Sequence, residues 1–127
     1  MKDVIVKKSK IDGYGIFAAH DFKKGDIVIK WDTTHKLTLE DVKKLPGKEK
    51  NYVAYNEGSY ILMQSPAKYV NHSCNPNTYS KNFCDIAKRG IKKGEEITGD
   101  YSEDLAPGVE MNCKCGSKNC RKVIKKR

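Results

Sequence analysis

Residues 71–77, Asn-His-Ser-Cys-Asn-Pro-Asn, and residues 94–101, Gly-Glu-Glu-Ile-Thr-Gly-Asp-Tyr, are the two stretches that decide how this chain is interpreted. The first is a polar run, and such a run is costly to bury unless each polar atom finds a partner. The second is typical of a turn, an edge strand and a packed tyrosine. Taken alone, the first stretch could also be a loop of Asx turns that ends at Pro76, so neither stretch by itself specifies a function.

A third stretch, near the end of the chain, is rich in cysteine. Cys113, Cys115 and Cys120 lie within a span of eight residues, and three thiolates at this spacing can converge on one ion. Zn²⁺ takes four ligands in a tetrahedron, so a fourth ligand has to come from elsewhere in the chain. The candidates are Cys74, Cys84 and His72. The total of five cysteines argues against a disulfide framework, and the alternative to a metal site is a set of unpaired thiols in a reducing compartment.

Length and charge limit the class of protein. The chain has 127 residues, a common size for one domain, and its 25 Lys and Arg against 16 Asp and Glu give a formal net charge of +9. Its longest apolar run, Tyr60–Met63, is far shorter than the ~18 residues that cross a bilayer, so we expect a cytoplasmic protein with no membrane contact. Residues 113–127 hold seven basic residues and no acid, which favours nucleic acid or an acidic protein surface as a partner, unless this basic tail only improves solubility.

Secondary-structure signals predict a mostly β protein. Runs of β-branched and aromatic residues bounded by turns indicate short strands, and Thr38 with Asp41 can cap one short helix that ends at Pro46–Gly47. The strand candidates are residues 4–6, 16–18, 27–29, 52–55, 60–63, 83–87 and 96–98. No linker or low-complexity segment divides these elements, apart from the basic end of the chain.

Taken together, these stretches resemble the SET-domain family of protein lysine methyltransferases. The resemblance follows the order Gly-x-Gly at residues 13–15, Asn-His-Ser-Cys-x-Pro-Asn at 71–77, Gly-Glu-Glu-Ile-Thr-x-Asp-Tyr at 94–101 and Cys-x-Cys-x₄-Cys at 113–120. It covers nearly the whole chain, and the last motif is similar to the family's post-SET element. It implies a SET domain at residues 1–110 and a post-SET zinc knuckle with a basic tail at residues 111–127, in a minimal stand-alone form without a cysteine-rich pre-SET region.

The resemblance implies a fold of several small β-sheets with a C-terminal pseudoknot, which would bring residues 71–72 beside Tyr101. It also implies an enzyme that transfers methyl groups from S-adenosylmethionine to the ε-amine of a lysine in a protein substrate, such as a histone-like or other chromatin protein. In a eukaryotic source, the location would be nuclear or chromatin-associated. The alternatives are a catalytically weak SET-like module that binds a basic protein tail or nucleic acid, and a small zinc-dependent nucleic-acid-binding protein.

Site residues follow from the resemblance, position by position. The implied cofactor-binding residues are Gly13, Tyr14, Gly15, Lys68, Asn71, His72 and Tyr101. Tyr101 is also the implied catalytic residue, Tyr52 and Gly99 are expected to line the substrate-lysine channel, and Val123 or Ile124 is expected to cover the adenine. The implied zinc ligands are Cys74, Cys113, Cys115 and Cys120, which leaves Cys84 as a small buried apolar residue.

Two positions depart from the family's pattern. Gly99 stands where many relatives carry Phe or Tyr, and Lys68 stands where many carry Arg. In a strand, residues 99 and 101 face the same side, so Gly99 would leave space beside Tyr101. On this steric argument the resemblance predicts di- or trimethylated product. Lys68 is expected near the cofactor's carboxylate as a point charge, less directional than an arginine fork.

Overall fold

The computed structural model describes residues 3–50, 52–56, 58–105 and 110–125. Within these ranges the chain forms twelve short strands, two short helices and two 3₁₀ turns. In chain order they are β1 (Val4–Lys8), β2 (Tyr14–Ala18), β3 (Ile27–Lys30), β4 (Lys36–Leu37), α1 (Leu39–Lys44), α2 (Gly47–Lys50), β5 (Val53–Asn56), β6 (Ser59–Leu62), a 3₁₀ turn (Ala67–Tyr69), β7 (Asn71–His72), β8 (Thr78–Lys81), β9 (Cys84–Ala87), β10 (Glu96–Gly99), a second 3₁₀ turn (Tyr101–Glu103), β11 (Glu110–Asn112) and β12 (Val123–Lys125). The prediction of a mostly β protein is confirmed.

The largest sheet has four strands in the order β1-β2-β10-β7. β2 pairs antiparallel with β1 and with β10. β10 also pairs in parallel with the two-residue strand β7, with Thr98 opposite Asn71 and Gly99 opposite His72. This parallel pairing places the polar run at residues 71–77 beside the residues that follow β10, although the two stretches lie far apart in the sequence.

Three smaller sheets complete the described fold: β3-β9-β8, β4-β6-β5 and the two-stranded sheet β11-β12. The predicted hairpin over the second of these is confirmed, since β5 and β6 pair antiparallel with Asn56 opposite Ser59. Gly58, in the tight turn between them, has a φ of 77°, a left-handed conformation that glycine adopts without the steric cost of a Cβ atom.

The predicted helix begins with the expected cap. Thr38 Oγ1 accepts the backbone N–H of Asp41 at 3.1 Å, and the Asp41 carboxylate accepts the backbone N–H of Thr38 at 2.9 Å. This reciprocal capping box satisfies two donors that the first helical turn would leave unpaired. Val42 is the buried residue of α1 and packs in a small apolar cluster with Val53 of β5.

The main apolar core lies where the inner faces of the sheets meet. The residues at its centre, each at most 1% exposed, are Ile16, Ala18, Ile61, Ala87, Ile91 and Ile97. They come from β2, β6, β9, β10 and the turn before β10, so several short strands share one core that none of them could bury alone.

The predicted division of the chain at residue 110 stays a prediction. β11 begins at Glu110 and pairs with β12, so the described C-terminal residues form their own antiparallel ladder. Met1, Lys2, Lys126 and Arg127, which belong to the predicted SET domain and basic tail, lie outside the described residues. Among the described helices, none is long and apolar enough to cross a lipid bilayer.

Candidate active site

Tyr101 lies two residues after the end of β10, at the start of a 3₁₀ turn that Asp100 caps by accepting the Ser102 N–H. Its backbone N–H donates to Nδ1 of His72 at 3.0 Å, and its hydroxyl donates to the carbonyl oxygen of Val70 at 2.5 Å. Burial raises the pKa of Tyr101 well above its usual range, so the hydroxyl keeps its proton at physiological pH. The tyrosine is therefore held at both ends as a hydrogen-bond donor.

His72 connects Tyr101 to the cysteines. Because Nδ1 accepts a hydrogen bond from Tyr101, the neutral ring carries its proton on Nε2, which lies 3.3 Å from Sγ of Cys74. The side chain is buried, and burial lowers the pKa of His72 to about 4 even though the Asp100 carboxylate lies nearby. The imidazole is therefore neutral near pH 7 and can donate to a thiolate.

One cleft of about 760 Å³, named here the Gly13 cleft, opens beside Tyr101. Its lining residues are Ile11, Asp12, Gly13, Tyr14, Tyr52, Lys68, Tyr69, Asn71, His72, Tyr101, Met111 and Lys114. Six of the seven residues predicted to bind the cofactor lie in this lining, and Gly15 is the exception. Tyr14 is 55% exposed, so its ring is accessible from the cleft.

Gly15 and Asn71 shape the wall of the Gly13 cleft. A Cβ atom at Gly15 would overlap the carboxylate of Glu96, which hydrogen bonds from Ser9 and Asn71 hold in place. Nδ2 of Asn71 donates to the backbone oxygens of Asp12 and Tyr14 at 3.0 and 3.2 Å and to Glu96 at 3.0 Å. The asparagine side chain thus fastens the glycine turn to β10.

A second cleft of about 560 Å³, named here the Trp31 cleft, is lined mainly by apolar residues. The two clefts share Tyr52, Lys68 and Tyr101, so Tyr101 stands at their junction. Nζ of Lys68 lies 5.0 Å from the ring centroid of Tyr52. Gly99 lines the Trp31 cleft but not the Gly13 cleft. A Cβ atom at Gly99 would lie 3.6 Å from Oγ1 of Thr78, an ordinary contact distance.

Four cysteines converge near the end of the chain. The Sγ atoms of Cys74, Cys113, Cys115 and Cys120 all lie within 4.8 Å of one another, and Cys74 and Cys113 are 3.7 Å apart. Four thiolates around one Zn²⁺ at ~2.3 Å would be roughly 3.8 Å apart, so the donor set and its spacing fit a closed tetrahedral metal site. Cys84 lies elsewhere, on β9, and its thiol contacts the carbonyl oxygen of Asn82 at 3.5 Å. It is only partly buried, so its expected place in the core is wrong.

Comparison with known proteins identifies the fold. The sequence model of the SET domain matches residues 13–102, well over half of the chain. This chain belongs to the SET-domain family. The SET-domain fold is also found in the crystal structure of a Plasmodium falciparum protein described provisionally as a histone methyltransferase, with a TM-score of 0.64, 25% sequence identity, and coverage of 80% of this chain and 94% of that one.

Relatives of this SET domain include much longer chains. It is 32% identical to the histone-lysine N-methyltransferase trr of Drosophila melanogaster and 35% identical to the human histone-lysine N-methyltransferase 2D, over 94% of this chain in both cases. It is 31% identical, over 93% of its length, to a histone-lysine N-methyltransferase of Candida glabrata that is specific for H3 lysine-36. The chain spans 6%, 2% and 19% of these three relatives, respectively.

Arg121 belongs to the site of this SET domain, although no sequence motif assigned it a place beside Tyr101. Its backbone N–H and Nε donate to Sγ of Cys74 at 3.2 and 3.4 Å. Its guanidinium also donates to Asp100 at 2.7 Å and to Oγ of Ser102 at 3.2 Å. One arginine therefore joins the cysteine cluster to the residues on both sides of Tyr101. Its position directly after the last cysteine was the available signal.

The residues that the C-terminal segment adds to the Gly13 cleft differ from those predicted. Neither Val123 nor Ile124 is among the residues that line the cleft, and the expectation that one of them covers the adenine stays a prediction. Ile124 is only 2% exposed and lies opposite Met111 in the β11–β12 ladder, and Met111 is the residue that reaches the cleft. Lys114 also lines it, within 3.9 Å of the Asp12 carboxylate.

Proposed function

We propose that this protein transfers methyl groups from S-adenosylmethionine to the ε-amine of a lysine side chain in a protein substrate. The observation that carries the proposal is the position of Tyr101 at the junction of the Gly13 and Trp31 clefts. Two reactants that enter from two clefts can meet at one hydroxyl. Such an arrangement orients the reactants and excludes water from the point where they meet. The proposal is supported by membership of the SET-domain family and by relatives named as histone-lysine methyltransferases.

The Gly13 cleft is the proposed cofactor site. Tyr14 and Met111 offer an aromatic and a flexible apolar surface that suit an adenine ring. Lys68 and Lys114 offer ammonium groups for a carboxylate. The side-chain nitrogen of Asn71 already donates hydrogen bonds within the chain. We therefore expect Asn71 to bind the cofactor through its side-chain oxygen or its backbone. Gly15 is proposed to contribute indirectly, because the absence of a side chain there leaves room for the Glu96 carboxylate in the wall of the cleft.

Tyr101 is the proposed catalytic residue. S-adenosylmethionine, when bound, supplies a methyl group made electrophilic by its sulfonium. The Tyr101 hydroxyl keeps its proton and so acts as a donor, while the Val70 carbonyl beside it can accept a hydrogen from the target amine. A lysine ammonium, with a pKa of ~10.4 in water, has no lone pair, so the target lysine must lose its proton before the transfer. Tyr52, which both clefts share, is the proposed wall of the lysine channel.

The four clustered cysteines are proposed to hold one structural Zn²⁺. Four thiolates on Zn²⁺ carry a net charge of about −2, and the donors of Arg121 and His72 on Cys74 offset part of it. A closed four-ligand site leaves no open position for chemistry, so its role is to hold the C-terminal segment against the Gly13 cleft.

The substrate is proposed to be a protein lysine, on a histone or another chromatin protein, with a nuclear or chromatin-associated location where the source or host is eukaryotic. The relatives whose names specify histone lysines support this class of substrate. The basic residues after Cys113 are proposed to contact an acidic partner or nucleic acid near that substrate.

The test of the proposed activity is label transfer. Purified protein is incubated with tritiated S-adenosylmethionine and, in parallel, with recombinant histone H3 and with a total protein extract, and labelled lysines are located by mass spectrometry. Labelled methyl-lysine that depends on the intact protein supports the proposal. Absence of transfer in both reactions, together with nucleic-acid binding that falls steeply with salt, would favour a non-enzymatic binding module instead.

A further inference from the structure

Asp85 is an unusual residue for the wall of an apolar cleft. It lies on β9, is only 7% exposed, and lines the Trp31 cleft together with Gly99 and Tyr101. The indole of Trp31 lines the same cleft, and its Nε1–H is buried without a hydrogen bond to the described residues. A buried carboxyl and a buried N–H therefore border the same space.

The other two aspartates of the Trp31 cleft are engaged within the chain. Asp100 accepts hydrogen bonds from Arg121 and Ser102, and Asp104 accepts them from Ser80 and Asn56. Within the described residues, Asp85 is the one of the three for which no hydrogen bond of normal geometry is found. The N–H of the Trp31 indole is the nearby donor, and it lowers the pKa of Asp85 in part.

Among the residues that the structure describes, Asp85 forms no ion pair with a lysine, arginine or histidine. Burial, with a smaller contribution from the neighbouring Asp104 and Glu103 carboxylates, raises the pKa of Asp85 to about 7. Lys68 lines the same cleft, but its ammonium lies over the rings of Tyr52 and Tyr69. An unpaired buried carboxylate is costly, and a cation that enters the cleft would remove that cost.

The cleft also has room for such a cation. A Cβ atom at Gly99 would meet Thr78 and Val70 only at ordinary van der Waals distances of 3.6 and 3.8 Å, so the backbone does not block a side chain there. The Trp31 cleft has an open volume of about 560 Å³, and Gly99 adds no side chain to it. The empty volume, the unpaired carboxylate and the Tyr101 ring border the same cleft.

We infer that Asp85 is a substrate-binding residue that holds the cationic end of the target lysine in the space beside Gly99, before that lysine loses its proton for the transfer. The inference rests on the proposed function, because it identifies the group that recognises the lysine in the Trp31 cleft. Mono- and dimethylated lysines are also cations, and charge attraction to a carboxylate needs no particular number of N–H groups. The same subsite therefore accepts a lysine that already carries methyl groups.

The test uses a mimic of the lysine side chain and does not depend on methyl transfer. Trp31 is the chain's one tryptophan, so its fluorescence reports on this cleft. The full chain is titrated with n-butylammonium chloride and with 1-butanol, a neutral molecule of similar size. We expect the cation to bind about tenfold more tightly than the alcohol. We expect Asp85→Asn to lose this preference without a change in the affinity for 1-butanol.

Glu40→Gln is the matched control, because Glu40 is an exposed acid on α1 with 74% of its side chain accessible. It should keep the parent preference. No response of Trp31 to the cation, equal affinities for the two probes in the parent, or an unchanged preference in Asp85→Asn would each overturn the inference.

A second measurement separates this inference from the proposed function. With histone H3 as substrate, Asp85→Asn should raise KM about tenfold while the affinity for S-adenosylmethionine stays at the parent value. A cation preference without any methyl transfer by the parent would leave the subsite standing and remove the proposed function. Methyl transfer by Asp85→Asn with the parent KM would leave the proposed function standing and remove the inferred role of Asp85.

Discussion

The body of the fold, at residues 3–105, and the C-terminal segment, at residues 110–125, are held in place by different forces. The body buries an extensive apolar core, whereas in the described part of the C-terminal segment Ile124 is the one buried residue. That segment is instead fastened by three of the four clustered cysteines and by Arg121. Yet it contributes Met111 and Lys114 to the Gly13 cleft. The comparison indicates that apolar burial holds the body together, while the completion of the Gly13 cleft depends on the cysteine cluster and on polar contacts.

The largest effect is expected from a substitution that removes one cysteine of the cluster. Cys74→Ser should lower bound zinc from about one ion per chain to almost none and reduce methyl transfer to background, because the C-terminal segment loses its attachment. Circular dichroism and thermal unfolding should show that the body of the fold persists. Metal content per chain, measured together with methyl transfer, checks the prediction.

Cys84→Ser is the control for this experiment, because Cys84 is a cysteine outside the cluster. It should keep the parent metal content. Equal loss of zinc in the two variants, or loss in Cys84→Ser alone, would show that the ligand assignment is wrong.

Removal of a single hydroxyl in the body should be nearly as damaging to turnover and harmless to the metal. Tyr101→Phe keeps the ring and its packing but loses the donor that now contacts Val70. We expect methyl transfer to fall ~10²–10³-fold, the usual cost of one lost transition-state contact. Zinc content and the affinity for S-adenosylmethionine should stay close to the parent values. Parent-like turnover would contradict the proposed role of Tyr101.

A smaller effect is expected at the contact between the two regions. Arg121→Gln removes the guanidinium from Cys74 and leaves Asp100 partly buried without its cation. Loss of such a partner of a metal ligand typically costs 10–100-fold in metal affinity or activity. Zinc affinity, measured by competition with a chromogenic chelator, and methyl transfer should both fall by amounts in this range.

Arg89→Gln serves as the control for Arg121, since Arg89 is a half-exposed arginine that pairs with Glu95 away from the cluster. It should leave both measurements unchanged. A decrease of similar size in both variants would mean that net charge, and not the contact with Cys74, is responsible.

The smallest effect on rate is expected at Gly99, where the change should appear in the product. Gly99→Tyr places a ring in the space beside Tyr101, and the open contacts around Gly99 allow its first atoms to fit. The parent should accumulate di- or trimethyl-lysine at long incubation, and the variant should shift towards monomethyl-lysine. Mass spectrometry of the product checks this, and monomethyl-lysine alone from both proteins would refute the steric argument.

Local patterns in the sequence were enough for much of the fold. The Thr38 capping box, the β5–β6 hairpin and the spacing of Cys113, Cys115 and Cys120 involve residues close together in the chain, and the structure contains all three. The choice of Cys74 over Cys84 came from the family resemblance, because spacing alone does not show which distant cysteine joins a cluster. The structure brings Cys74 into the cluster.

What the sequence by itself determined is therefore the family, the mostly β architecture and the residue types that surround Tyr101. Only the tertiary structure decided which of them meet. The parallel pairing of β7 with β10 brings Asn71 to Glu96 and His72 to Tyr101, and such long-range contacts leave no periodic signal in the chain. Asp85 reads as an ordinary polar residue of a strand, and its burial beside Trp31 appears only when three sheets close around one cleft. The physical reason is that hydrogen bonding within a strand or turn is local, whereas burial and charge pairing depend on neighbours that the fold alone supplies.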